Sequence, residues 1–160
     1  MTEAVLDVTT VHLPERTLAY IRNVGPYAGN TVLFEQLFNR VSKWALGKGL
    51  LTPESEAITV YLDDPESVPE ELQRINVGFT VPAGTKPDGE FHVTKLPEAD
   101  YVVGSFEIAP HHYREAWMSV FAYMGESGLV PHGPMYESYK NDPSKHPEGK
   151  HVVDICVAVK

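Results

Sequence analysis

Glu137 stands in the run Met135-Tyr136-Glu137-Ser138-Tyr139, where strand alternation puts Met135, Glu137 and Tyr139 on one face and Tyr136 and Ser138 on the other. A carboxylate flanked by a thioether and a phenol becomes a partly desolvated acid if that face is covered. Burial raises the pKa of such an acid and suits it to act as a counter-ion for a cation or as a general acid or base. On an open sheet face the same side chain points to water, and spacing alone favours that second reading. Trp117 is the second residue of interest. An indole offers its face to a cation or an aromatic ligand and its N–H as a lone donor, although a helical stripe position also suits a large core residue. Eight tyrosines, Tyr27, Tyr61 and Tyr139 among them, supply material for an aromatic pocket; strands favour tyrosine in any case.

Other chemistry is poorly served. His111 and His112 are adjacent, so on a helix they diverge by about 100° and cannot share a metal as an i, i+4 pair would; they read as solvated residues at a helix start. His132, His146 and His151 fall near turns without a cysteine at ligand spacing, so neither metal nor cofactor is expected. Cys156 has no adjacent base and reads as a small buried residue. Gly47-Lys48-Gly49 lacks the length and the Ser/Thr of a phosphate loop. Asp63-Asp64 and Asn141-Asp142 each precede proline, which marks turns and not paired catalytic carboxylates.

The chain has 160 residues and a formal net charge of -9, enough for one domain with a core or two half-size units sharing one. The acidity repels phosphate backbones and leaves no basic patch, so nucleic acid and anionic membrane are not expected partners. One cysteine, an acidic start at Met-Thr-Glu-Ala-Val-Leu-Asp and the lack of a long apolar run lead us to expect a soluble, cytoplasmic protein.

The elements that must position these residues occur twice. Leu13-Pro14-Glu15 recurs as Leu96-Pro97-Glu98, an offset of 83 that also carries Phe34, Leu37, Phe38 and Val41 onto Trp117, Val120, Phe121 and Met124. That i, i+3, i+4, i+7 spacing is the stripe of an amphipathic helix. Farther on the offset becomes 78, carrying Tyr61, Asp64-Pro65 and Pro69-Glu70 onto Tyr139, Asp142-Pro143 and Pro147-Glu148. The first copy predicts strands over 5–13 and 17–23 joined at the Pro-Glu turn, a helix from an Asn30 or Thr31 N-cap to a left-handed C-cap at Gly47, then strands over 57–62 and 75–81. The second predicts strands over 90–95 and 99–107, a helix over 110–125, and strands over 135–140 and 151–159. Each copy is β-β-α-β-β, spanning about 1–82 and 89–160, with the Pro- and Gly-rich stretch 82–88 as linker. One helix on four strands buries little alone, so the copies are expected to join as a pseudo-twofold pair with a cleft at the seam. Function is sought where the copies differ: Thr59 against Glu137, and Phe34 against Trp117.

These motifs together carry a resemblance. Val24-Gly25-Pro26-Tyr27, Ala116-Trp117-Met118-Ser119-Val120-Phe121, Tyr136-Glu137-Ser138-Tyr139 before Asn141-Asp142-Pro143, and the closing Asp154-Ile155-Cys156-Val157-Ala158-Val159 resemble the GyrI-like small-molecule-binding domain. That domain is also the effector-binding part of AraC- and MerR-type multidrug regulators and the whole of the DNA gyrase inhibitory protein. The resemblance covers nearly all of the chain. It implies an α+β fold of tandem SHS2 modules with two main helices and a junction pocket, and a buried glutamate that recognises lipophilic cations, which falls on Glu137, with Trp117 as a pocket wall. The expected ligand set is Glu137, Trp117, Tyr139, Met135, Phe121, Tyr27 and Tyr61, binding a hydrophobic aromatic or cationic small molecule for sequestration or sensing. Two alternatives come with the resemblance: hydrolysis of cyclopropane-bearing genotoxins, with Glu137 as acid/base and Tyr139 or another pocket tyrosine as donor, and an interaction with DNA gyrase. With the first strand expected by about Val5, no room is expected for the regulators' DNA-reading helix-turn-helix, and a direct transcription-factor role is not expected.

Overall fold

A computed structural model describes residues 3–160, with side chains from residue 7 onward. In chain order the elements are β1 (Glu3–Leu13), β2 (Arg16–Val24), α1 (Thr31–Gly47), β3 (Ala57–Tyr61), β4 (Arg74–Val81), β5 (His92–Leu96), β6 (Ala99–Ile108), α2 (Tyr113–Glu126), β7 (Pro131–Tyr139) and β8 (His151–Val159). Short 3-10 turns lie at Glu70–Leu72, Pro110–His112 and Pro143–Lys145. The fold is α+β with antiparallel strands. Among the described residues no helix is long and apolar enough to cross a membrane.

The chain forms two compact units: unit 2 is Glu15–Pro97, and unit 1 is the segment up to Pro14 together with Glu98–Lys160. These boundaries differ from those of the sequence copies. The hairpin expected at Pro14-Glu15 does not form; β1 pairs with β6, and β2 pairs with β4 and β5. Each unit therefore takes its outermost strand from the other copy. Both edges of β2 are already occupied by β4 and β5, so the short Pro-Glu link serves as a passage between units.

Unit 2 has the strand order β3-β4-β2-β5, and unit 1 the order β7-β8-β6-β1. The registers agree under the sequence offsets. Thr59 lies opposite Val77 and Glu137 opposite Ile155; Ile21 lies opposite Val77 and Gly104 opposite Ile155; Arg16 lies opposite Leu96 and Ala99 opposite Leu13. The two turns before the prolines also agree. Asp64 accepts from the Glu66 N–H at 2.9 Å and Asp142 from the Ser144 N–H at 3.0 Å, the Asx geometry expected of these residues.

In unit 2, Asn30 caps α1 by accepting from the Leu33 N–H at 3.0 Å. The left-handed residue after the helix is Gly49, with φ 68, and not Gly47; the helix closes on Lys48 before the chain reverses. Leu37 and Val41 of α1 pack on Ile21, Ile75 and Val77, and Ala45 is buried on the same helix. In unit 1, Ala116, Val120 and Met124 of α2 cover Val102, Phe106, Val153, Ile155 and Val157. Each large side chain so covered contributes about 1.5–3 kcal/mol, which holds each helix on its sheet and fixes which side chains line the layer between them. Gly78 of β4 is required sterically, since a Cβ there would overlap the Ala19 carbonyl oxygen. Its counterpart in unit 1 is the buried Cys156.

Candidate functional site between helix and sheet of unit 1

Glu137 is only 4% exposed, so of the two readings open from spacing the covered one holds. Both of its oxygens accept hydrogen bonds. The Trp117 indole N–H donates to Oε2 at 2.6 Å and the Tyr139 hydroxyl to Oε1 at 2.7 Å. An ionised carboxylate is acceptor-only, so two short bonds from neutral donors match it without bringing in positive charge. The sequence places the partners there for separate reasons. Tyr139 shares the strand face of Glu137 at spacing two, and Trp117 lies one residue from the buried Ala116 on a helix whose apolar stripe is fixed by the core.

The surroundings are aromatic and apolar. Trp117, Tyr139, Met135, Tyr113 and Tyr123 are partly buried and pack against the unit 1 core. Phe121 stacks on Trp117 with centroids 5.9 Å apart and planes at 30°, and is itself 42% exposed, so a continuous aromatic surface leads from solvent to the indole that holds the acid. Five of the expected site residues, Glu137, Trp117, Tyr139, Met135 and Phe121, thus come together in unit 1. Tyr27 and Tyr61 belong to unit 2, where their rings pack on each other at 5.7 Å.

A further polar pair in unit 1, Tyr113 and His151, escapes a reading of the sequence by motif. The Tyr113 hydroxyl lies 2.6 Å from His151 Nδ1, with the rings at 79°. Burial, and next the negative charge of Glu137, push the Tyr113 phenol above its ordinary pKa; burial pulls the His151 imidazole below its own. At neutral pH both are therefore uncharged. Tyr113 stood in sequence as one of eight phenols and His151 as a histidine near a turn; the signal that singles them out is the offset, which sets them against Asn30 and Gln73. Of the two adjacent histidines, His111 is exposed, whereas His112, at the start of α2, is half-buried, its Nδ1 buried and without a hydrogen-bond partner among the described residues. α2 begins three residues later than spacing predicts, because Pro110–His112 form a 3-10 turn.

The chain belongs to the family of GyrI-like small molecule binding domains, whose profile matches residues 6–160. Among curated relatives, the SPbeta prophage-derived protein YosT of Bacillus subtilis (strain 168), whose name proposes transcriptional regulation, is 30% identical over 135 residues, covering 84% of this chain and 89% of that protein. A DNA gyrase inhibitor of Enterobacter lignolyticus (strain SCF1) is 26% identical over 153 residues, covering 91% of each. Among solved structures, the EcmrR C-terminal domain superposes with a TM-score of 0.81 at 17% identity, over 96% of this chain and 97% of that one. SAV2435 bound to tetraphenylphosphonium superposes with a TM-score of 0.60 at 14% identity, over 97% of this chain and 94% of that one.

Proposed function

We propose that this protein binds a hydrophobic, aromatic or cationic small molecule at the Glu137 site of unit 1, for sequestration or sensing. The observation that carries the reading is a carboxylate 4% exposed and held by an indole and a phenol. Burying a charge is costly unless something repays it, and an acid placed among rings is suited to a guest that is both apolar and positive. The indole and the stacked Phe121 supply faces for such a guest, and the tetraphenylphosphonium carried by SAV2435 is a guest of that chemistry. Titration with tetraphenylphosphonium tests the reading. Glu137→Gln keeps the shape and removes the charge, and should weaken binding by about 1–3 kcal/mol; equal affinity in the two proteins would sink the proposal.

A second reading is supported by the names of relatives that are DNA gyrase inhibitors: an acidic protein surface acting on gyrase. A supercoiling assay with purified gyrase separates the two, and absence of inhibition at stoichiometric excess removes the second.

A further inference from the structure

The offsets that set Thr59 against Glu137 also set Asn30 against Tyr113 and Gln73 against His151. In unit 2 both positions have structural duties. Asn30 caps α1, and the buried Gln73 donates from Nε2 to the Val68 carbonyl at 2.8 Å, tying down the loop before β4. In unit 1 the helix is left without a side-chain cap, since its N-cap residue, His112, makes no such bond. The side chains at the two positions bond to each other instead, Tyr113 hydroxyl to His151 Nδ1 at 2.6 Å. Tyr113 and Trp117 are one turn apart on α2 and so share a face, and both pack on the same core. Trp117 holds Glu137 directly, and the charge of Glu137 is felt at the Tyr113 phenol. Two positions with local duties in one unit thus bond to each other in the other, one helical turn from the tryptophan that holds the acid.

Resting on the reading of Glu137 as the centre of a ligand site, we propose that Tyr113 is a further specificity-determining residue of that site and that His151 is its positioning residue. The phenol donates its hydrogen to His151 Nδ1, so that its oxygen lone pairs and not its hydrogen are turned to the Glu137 side. A positive guest then meets a carboxylate and a phenol oxygen together. Without the imidazole, the hydroxyl hydrogen turns to the nearest negative charge, Glu137, and blunts the preference for cations.

The test compares two guests of similar bulk, the cation tetraphenylphosphonium and neutral triphenylphosphine oxide, on wild type, Tyr113→Phe, His151→Phe and Glu137→Gln. The readout is the ratio of the two dissociation constants. Tyr113→Phe and His151→Phe should each reduce the preference for the cation by about three- to tenfold, the worth of one hydrogen-bonding group. A purely structural role would weaken both guests alike and leave the ratio unchanged, which would overturn the proposal. If Glu137→Gln lowers the ratio while the other two variants do not, this inference fails and the site reading stands; if Glu137→Gln leaves it unchanged, the site reading fails as well. A ligand-free measurement on wild type keeps the question decidable even if a variant does not fold. Long-range 1H–15N correlation at neutral pH should show His151 as the Nε2–H tautomer with Nδ1 unprotonated; an Nδ1–H tautomer would overturn the assignment.

Discussion

Units 1 and 2 share a strand order and a pairing register, yet they fill the layer between helix and sheet differently. In unit 2 the Tyr27 ring packs edge-on against Phe34 at 6.3 Å and tilted against Tyr61 at 5.7 Å. Phe34 and Tyr61 are the counterparts of Trp117 and Tyr139, the two side chains that in unit 1 donate to Glu137. The counterpart of Tyr27 is Pro110, which brings no aromatic ring. One unit thus closes its layer with an aromatic side chain of its own, while the other centres it on an acid. The fold tolerates both because neither replacement touches the aliphatic stripe that holds the helix down, Leu37 and Val41 in one unit and Val120 and Met124 in the other. The two fillings differ in a handful of side chains on a common frame.

Removing the ring that fills unit 2 is the harshest trial of this comparison. Tyr27→Ala should cost about 3–5 kcal/mol in urea unfolding, as for other buried aromatics truncated to alanine, and added indole or phenol should restore part of the loss by occupying the space. A cost under about 1 kcal/mol without such rescue would mean that Tyr27 fills nothing. Converting unit 1 toward unit 2 is the next trial. Trp117→Phe leaves a buried carboxylate short of a donor and should destabilise by about 1–3 kcal/mol, whereas adding Glu137→Thr removes the stranded acceptor and should recover much of it. The coupling in that double-mutant cycle is expected at about 1–2 kcal/mol; additive losses would show that the pair does not act as a unit.

The smallest expected effect concerns the outer strands. In unit 1, His12 Nδ1 lies 2.8 Å from Asp100 and Nε2 3.0 Å from Glu98, on the surface; in unit 2 the counterpart pair is Lys95 with Glu15 at 3.7 Å. Hydrogen bonds first to Glu98 and then to Asp100 raise the His12 pKa above its ordinary 6.5. A histidine whose folded pKa is raised contributes its stabilisation fully below the unfolded value and loses it as pH climbs through the folded one. Amide exchange near Leu13 and Ala99, corrected for intrinsic rates, should therefore quicken as pH rises from below 6.5 through the raised value, while amides near Leu96 and Arg16 show no such step. Parallel behaviour of the two strand ends would discard the imidazole as the cause.

Much of this was legible in the residues. The offsets of 83 and 78 hold in the strand registers, because register follows the apolar alternation that the offsets preserve. Glu137 could be placed on one face with Met135 and Tyr139, since a strand leaves no freedom in that. Its burial could not be read, because cover comes from α2, whose Trp117 is 20 residues away along the chain. The Pro14-Glu15 link misled in the same way: two strands and a two-residue turn have the local form of a hairpin, yet both edges of β2 pair with β4 and β5, segments distant from it in sequence.

The amino-acid order alone determined the alternation, the helical stripes, the turns before proline and the twofold recurrence, all of which depend on near neighbours and on the fixed periods of backbone structure. Only tertiary structure decided that β1 and β5 would change places, that Glu137 would be covered, and that Tyr113 and His151 would meet. Those outcomes depend on contacts between segments far apart in sequence, each chosen by competition for the same buried surface, and no local pattern records the winner.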